Sequence, residues 1–299
     1  MKNLFIKFIV LVFTVNLSHS QEWLTNLDIA QKLALVQDKM VLMVWEETTK
    51  YQYPVFVNSA SGRTLFIDNL FTNEEMSPLI WKNFVPVIVS ESMYADLYKE
   101  IKDKRKQSYI DKFNDDSIKI MDANGVILNA SDFSENYINI TILIQKYALN
   151  TQFIANELRG YKNKKDFYSA YYLASKYLDF SLYVDKRIRS EIIDVSDIYL
   201  KEAMTLIDSM DEENNTVLKQ RAELLEIQKY LILERPKKVL RQLKKMDVES
   251  MNNSNKPFAS FLYFTSYSIL KDQKKAAAWK DKLSLVDLKK AQMILNLDS

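Results

Sequence analysis

The sequence predicts an α/β unit in its first half followed by an all-helical unit. Three observations carry that prediction. Residues 117–128 read Ser-Ile-Lys-Ile-Met-Asp-Ala-Asn-Gly-Val-Ile-Leu, with apolar positions alternating into Asp122-Ala123-Asn124-Gly125 and resuming as Val126-Ile127-Leu128, the pattern of two antiparallel strands around a tight turn. Gly125 supplies the positive φ that such a turn needs, and Asn124 tolerates it better than most residues. Continuous apolar runs at residues 40–45 and 84–89 have the composition of strands covered on both faces. From Thr151 onward only helical periodicity remains. A chain of 299 residues that is 47% apolar can bury more than one core.

The N-terminal residues 1–20 have the parts of a secretory signal: Lys2 and Lys7, an apolar run over residues 8–15, and the small residues Ser18 and Ser20 ahead of Gln21. The run is shorter than the roughly 20 residues of a membrane span, and no stop-transfer segment follows. Cleavage at Ser20/Gln21 is therefore expected, giving a periplasmic or secreted chain without a transmembrane span. Loss of Lys2 and Lys7 leaves equal numbers of acidic and basic residues, a balance that does not suggest nucleic acid.

Helical spacing over residues 26–38, with Asn26 as N-cap and Trp23 packing under the helix start, leads into the first apolar run. Residues 53–57 and 64–67 read as a small hairpin or irregular insertion around Gly62. A helix over 73–82, capped by Thr72, precedes the second run, where Pro86 points to an edge, a bulge or a strand start. Residues 93–105 form an amphipathic helix whose basic end, residues 102–106, reads as a solvated terminus. The hairpin follows, and a helix over 136–149 closes the unit. Helices are then expected before Gly160, over 165–178, over 184–210 as one or two, over 217–233 capped by Thr216, from Pro236 to Met246, over 257–270, over 274–283 and from Asp287.

The absent residues exclude much chemistry. The chain has no Cys, and its one His, His19, lies in the signal segment. Dithiol redox chemistry, Cys nucleophiles, Ser-His-Asp triads, zinc and haem ligand sets and lipidation at Cys are excluded. Gly62, Gly125 and Gly160 are too scattered for a phosphate-cradling loop or a dinucleotide fingerprint, so no cofactor is expected.

The order helix, strand, variable region, helix, strand, helix, hairpin, helix resembles the thioredoxin-like fold, specifically exported thioredoxin-like proteins that begin with a Trp-containing helix. The matching stretches are residues 23–44, 73–89 and 117–128, and the resemblance covers residues 23–148. It implies a three-layer domain with a central mixed sheet over residues 21–149, followed by a helical domain over 150–299. Where the family carries Trp-Cys-x-x-Cys, this chain reads Trp45-Glu46-Glu47-Thr48-Thr49-Lys50, and Asp116 stands in place of the family's cis-proline. A cis bond before a non-proline residue costs about 2.5–4 kcal/mol, so residues 114–117 are expected to be trans. The family's thiol–disulfide activity does not carry over to a chain without thiols. Glu46, Glu47, Asp115 and Asp116 are either a new carboxylate site for acid/base work or a hard cation, or two solvated polar loops.

Residues 165–178 are similar to the second helix of a tetratricopeptide unit, with Asp166-Phe167, Ala170 and Leu178 at the matching positions. Echoes occur at residues 235–243 and at 272–283, where Ala276, Ala277 and Trp279 stand, but the intervals are not a regular 34 residues, and an irregular bundle is the other reading. Tyr171 and Tyr177 fall on the core stripe; Tyr168 and Tyr172 lie off it as a contact surface for a partner. Together these features predict a non-catalytic exported interaction or scaffold protein that binds a protein or peptide in the cell envelope. The rivals are a carboxylate-based hydrolase using Glu46, Glu47 or Asp116, and a self-assembling surface component in which the helices act as a spacer.

Overall fold

The computed structural model describes residues 22–130, 138–207, 212–246 and 251–297. The signal segment at residues 1–20 and its cleavage position at Ser20/Gln21 lie outside the described residues, as do residues 136–137 of the expected closing helix and the end of the helix expected over 184–210. The protein is mixed α/β: the described residues form two three-stranded sheets in the first half and helices in the second.

Helix α1 (Leu27–Gln37) starts at Asn26, whose side chain accepts the Ile29 N–H at 3.0 Å as an N-cap should. The Trp23 ring, expected under that start, meets Phe71 edge-on at 5.4 Å. Strand β1 (Met40–Trp45) is the middle strand of the first sheet and is buried from Met40 to Val44. It runs parallel to β4 (Phe84–Val89), pairing Met40 with Phe84 through Trp45 with Val89, and antiparallel to β5 (Lys119–Met121). Pro86 stands on the outer edge of β4. Its carbonyl accepts from Leu24 at 3.2 Å on the side away from β1, so the N–H that proline lacks is missing only there.

The hairpin forms, with Met121 bridging Ile127 and Gly125 at φ 89°. Its second leg is short for a physical reason. The Asn129 side chain accepts the Ile120 N–H at 2.8 Å and donates to the Ile118 carbonyl at 3.0 Å, doing with one amide what a further strand residue would do with its backbone.

The variable region is a true hairpin, β2 (Val55–Asn58) with β3 (Thr64–Ile67), and β6 (Ile138–Asn139) joins β2 in parallel to complete the second sheet. Helix α2 (Met76–Asn83) starts later than Thr72 would have it, because Asn73 folds back to accept from Glu75 at 3.0 Å and delays the first helical turn. The helix expected over 93–105 forms as α3 (Glu91–Ile101), begun by Ser90 and ending four residues early, and a further helix that was not expected, α4 (Gln107–Asn114), follows it with Tyr109, Ile110 and Phe113 buried. Helix α5 (Ile140–Tyr147) closes this half and packs against β2.

In the second half a 3₁₀ turn (Gln152–Ile154) leads into α6 (Ala155–Asn163), which runs through Gly160 rather than stopping before it. Helix α7 (Phe167–Phe180) is set by a reciprocal Asp166–Ser169 capping box, and α8 (Lys186–Leu206) is one unbroken helix packed extensively along it. Helix α9 (Glu212–Ile232) begins before Thr216, which is therefore an interior residue and not its cap. Then come α10 (Pro236–Leu243), α11 (Lys256–Ile269), α12 (Gln273–Lys280) and α13 (Leu285–Leu295), the last begun by a Ser284–Asp287 capping box. Among the described residues no helix is long and apolar enough to cross a membrane.

The position expected as a domain boundary, between residues 149 and 150, lies in the connection before the 3₁₀ turn, and the buried core continues across it. One contiguous apolar cluster runs from Leu27 through the sheet and α7–α8 to Ile232, while a second joins Leu224 to Ile294. Each fully buried Leu, Ile or Phe contributes about 1.5–3 kcal/mol, so this continuity ties the two halves together.

Candidate functional site

The carboxyl end of β1 is where the thiol pair of the resembled family would stand. Here β1 passes from Trp45 into a 3₁₀ turn (Glu46–Lys50), and the Thr48 hydroxyl, itself buried, donates to the Asp116 carbonyl at 3.3 Å. The two segments singled out in the sequence therefore meet. No peptide bond among the described residues is cis, and residues 114–117 are trans as expected.

An aromatic stack fills the interior beside this contact. Trp45 stacks on Tyr94 with centroids 5.3 Å apart, and Tyr94 stacks on Phe113 at 4.4 Å and donates to the Phe113 carbonyl. Behind the stack lie two lysines, with side chains 1% and 0% exposed: Lys112 from α4 and Lys119 from β5. Asp115 reaches both, at 3.5 Å and 3.2 Å. Lys112 also donates to Ser117 Oγ, Lys119 donates to the Asp115 carbonyl, and the Ser117 hydroxyl donates to Asp115 Oδ1 at 2.5 Å. Two buried ammonium groups thus share one carboxylate.

The charges respond as desolvation requires. Burial pulls Lys112 down to about 8 despite the pull of Asp115, and it lowers Lys119 as well. Burial alone would raise Asp115, but Lys112, the Ser117 hydroxyl and Lys119 outweigh it and hold the carboxyl below its ordinary value. This arrangement fastens α4 to β5 at the end of the sheet.

Glu46 and Asp116 are exposed, Glu47 is paired with Lys50 at 2.6 Å, and Asp115 is committed to the lysines. The Thr49 hydroxyl donates to the Glu46 carbonyl at 2.8 Å, a side-chain bond within the 3₁₀ turn. Among the described residues no group of three His, Cys, Asp or Glu side chains is placed to hold a metal ion. Lys112 and Lys119 escaped sequence reasoning because a lone lysine is placed on the solvent face by pattern alone, whether beside Asp111 in a polar stretch or between Ile118 and Ile120 on a strand.

On the helical half, Tyr171 and Tyr177 are 6% and 2% exposed, whereas Tyr168 and Tyr172 are 44% and 57% exposed. The two exposed rings lie one turn apart on α7, centroids 6.4 Å apart. Tyr177 has a further role, because its hydroxyl donates to Asp122 of the hairpin turn at 2.8 Å. Asp122 is 1% exposed and also accepts from Tyr199 and from the backbone N–H groups of Asn124 and Val126. Burial pushes the Asp122 carboxyl above the ordinary range, while these four donors pull the other way.

Comparison with protein-family models, with curated proteins and with solved structures returned no match for this chain.

Proposed function

We propose that this protein is a non-catalytic, exported interaction or scaffold protein built on a redox-inactive thioredoxin-like domain, with its tetratricopeptide-like helices presenting the partner surface. The observation that carries this reading is the end of β1. A sulfur-free turn stands there against Asp116, and the space behind it is filled by the Trp45–Tyr94 stack and the paired lysines. Two features support the thioredoxin-like part: β1 between a parallel β4 and an antiparallel β5, and β5 continuing into a hairpin. The partner is a protein or peptide of the cell envelope that contacts the exposed Tyr168–Tyr172 pair, since exposed paired aromatics supply contact area at low entropic cost.

The test is affinity capture from envelope extracts with the full chain, a Tyr168→Ala/Tyr172→Ala variant and a Glu46→Ala/Glu47→Ala variant. The reading expects one partner to be retained by the glutamate variant and lost by the tyrosine variant. Capture of nothing, or equal capture by all three, overturns it.

A further inference from the structure

The first turn of α13 presents two neighbouring aliphatic side chains to water, Leu285 at 77% and Val286 at 73% exposure. Neither serves the helix. The Ser284–Asp287 capping box starts it, and the residues it buries, Ala291 and Ile294, lie in its second half. That half is fastened to the body of the protein: Lys290 pairs with Asp179 of α7 and donates to Gln228 of α9 at 3.3 Å, and the Tyr183 hydroxyl donates to Met293 Sδ at 3.7 Å. The helix is thus anchored at one end, with the Leu285–Val286 pair at the other.

The surroundings of this pair are basic. Lys280 and Lys282 precede it in the α12–α13 connection, and Lys289 follows one helical turn on, where residues three and four apart share a face. All three are exposed and carry no ion pair among the described residues, whereas Lys275 and Lys290 are paired with Asp272 and Asp179. Lys282 lies over the ring of half-buried Trp279, 4.7 Å from its centroid. Of the two carboxylates in this stretch, Asp287 accepts from the Ser284 hydroxyl at 2.7 Å and Asp281 is exposed. Positive charge is therefore in excess around the aliphatic pair.

We propose that the α12–α13 corner docks reversibly on a bilayer surface containing anionic phospholipid. Leu285 and Val286 enter the boundary between headgroups and acyl chains, and Lys280, Lys282 and Lys289 lie against headgroup phosphates. A bilayer answers both features at once, because surface attachment strengthens with the apolar area buried and with attraction to anionic lipid. Two aliphatic side chains are far too small a patch for a stable protein interface, which buries on the order of 1,200–2,000 Å². Three exposed lysines alone give only a diffuse attraction that salt screens. No helix among the described residues is long and apolar enough to cross a membrane, so the contact is peripheral. It is independent of the partner-binding reading above.

Co-sedimentation with lipid vesicles tests this. The chain from Gln21 onward is used, because it holds every described residue and leaves out the apolar run at residues 8–15, which would bind lipid by itself. The expected result is binding to phosphatidylcholine vesicles that contain phosphatidylglycerol, weakened by salt, and none to phosphatidylcholine alone. A Leu285→Ser/Val286→Ser variant and a Lys280→Gln/Lys289→Gln variant should each bind roughly fivefold more weakly or worse. All four side chains are exposed, so both variants keep their fold, which their melting temperatures check. Absence of binding to the anionic vesicles, equal binding to both vesicle types, or unchanged binding by either variant overturns the proposal. So does a concentration-dependent dimer in analytical ultracentrifugation that the serine variant abolishes, which would place a second copy of the chain on the patch.

Discussion

Tyr199 donates a 2.5 Å hydrogen bond to a carboxylate oxygen of Asp122, a residue 77 positions earlier in the chain. Tyr177 reaches the same oxygen from the neighbouring helix, so a hairpin turn of the first half is held by two helices of the second. The rings of Tyr177 and Tyr199 also stack at 5.7 Å, and Tyr199 meets Tyr161 edge-on at 5.0 Å. The consequence is mechanical: the halves share a buried polar anchor as well as an apolar core.

Removing the anchor leaves its donors stranded. Asp122→Ala deprives two buried hydroxyls and two turn N–H groups of their acceptor, and the expected loss is about 3 kcal/mol or more. Tyr177→Phe or Tyr199→Phe removes one donor and should cost about 1 kcal/mol. Urea unfolding followed by circular dichroism measures these values. Separate transitions for the two halves in the unmodified chain would contradict the shared anchor.

The turn itself is sensitive at Gly125. At φ 89° any other L-residue is strained, and an added Cβ would come 3.1 Å from Gln31 Nε2, the mobile end of a side chain that can move aside. Gly125→Ala should therefore cost about 1–2 kcal/mol through backbone strain more than through collision. A loss below a few tenths of a kcal/mol would mean that the turn adopts another conformation.

Asn129→Ala tests the side chain that replaces a strand. It removes both the acceptor for the Ile120 N–H and the donor to the Ile118 carbonyl in a buried setting, at an expected cost of about 2 kcal/mol. Hydrogen exchange at the Ile120 amide should accelerate beyond what the global loss explains. An unchanged exchange rate would assign that amide another partner.

The buried lysines give stability a distinct pH dependence. Lys112 is pulled down to about 8, below its unfolded value, so above that pH the unfolded chain holds the extra proton and stability rises as pH increases toward the unfolded lysine value near 10.5. Lys119 acts in the same sense. The buried tyrosines oppose this only above about 10, because Tyr109, pushed up to about 12, keeps a proton that the unfolded chain has lost. Denaturation midpoints should therefore climb between pH 8 and 9.5, and Lys112→Met should flatten the climb. A fall over that interval in the unmodified chain would refute the buried positions of the lysines.

What the sequence disclosed follows the range of the interactions involved. The strands Met40–Trp45 and Phe84–Val89 are continuous apolar runs, and the α7 stripe separates buried Tyr171 and Tyr177 from exposed Tyr168 and Tyr172 by helical spacing alone. Helix α4 was hidden because its buried face contains Lys112, which local pattern assigns to solvent. Arg105 was read as part of a solvated terminus for the same reason, its partner Glu202 lying 97 residues away. Asp122 fitted its turn so well that nothing nearby pointed to Tyr177 and Tyr199. Polar contacts between distant segments leave no periodicity behind, and the junction between the halves depends on them.

The interaction reading is tested most directly by a photo-reactive benzoylphenylalanine placed at position 172 or, as a comparison, at position 46, with irradiation of intact envelopes. The account predicts a discrete cross-linked product from the α7 position and none from the sheet end. A product from position 46 alone, or from neither, would contradict it.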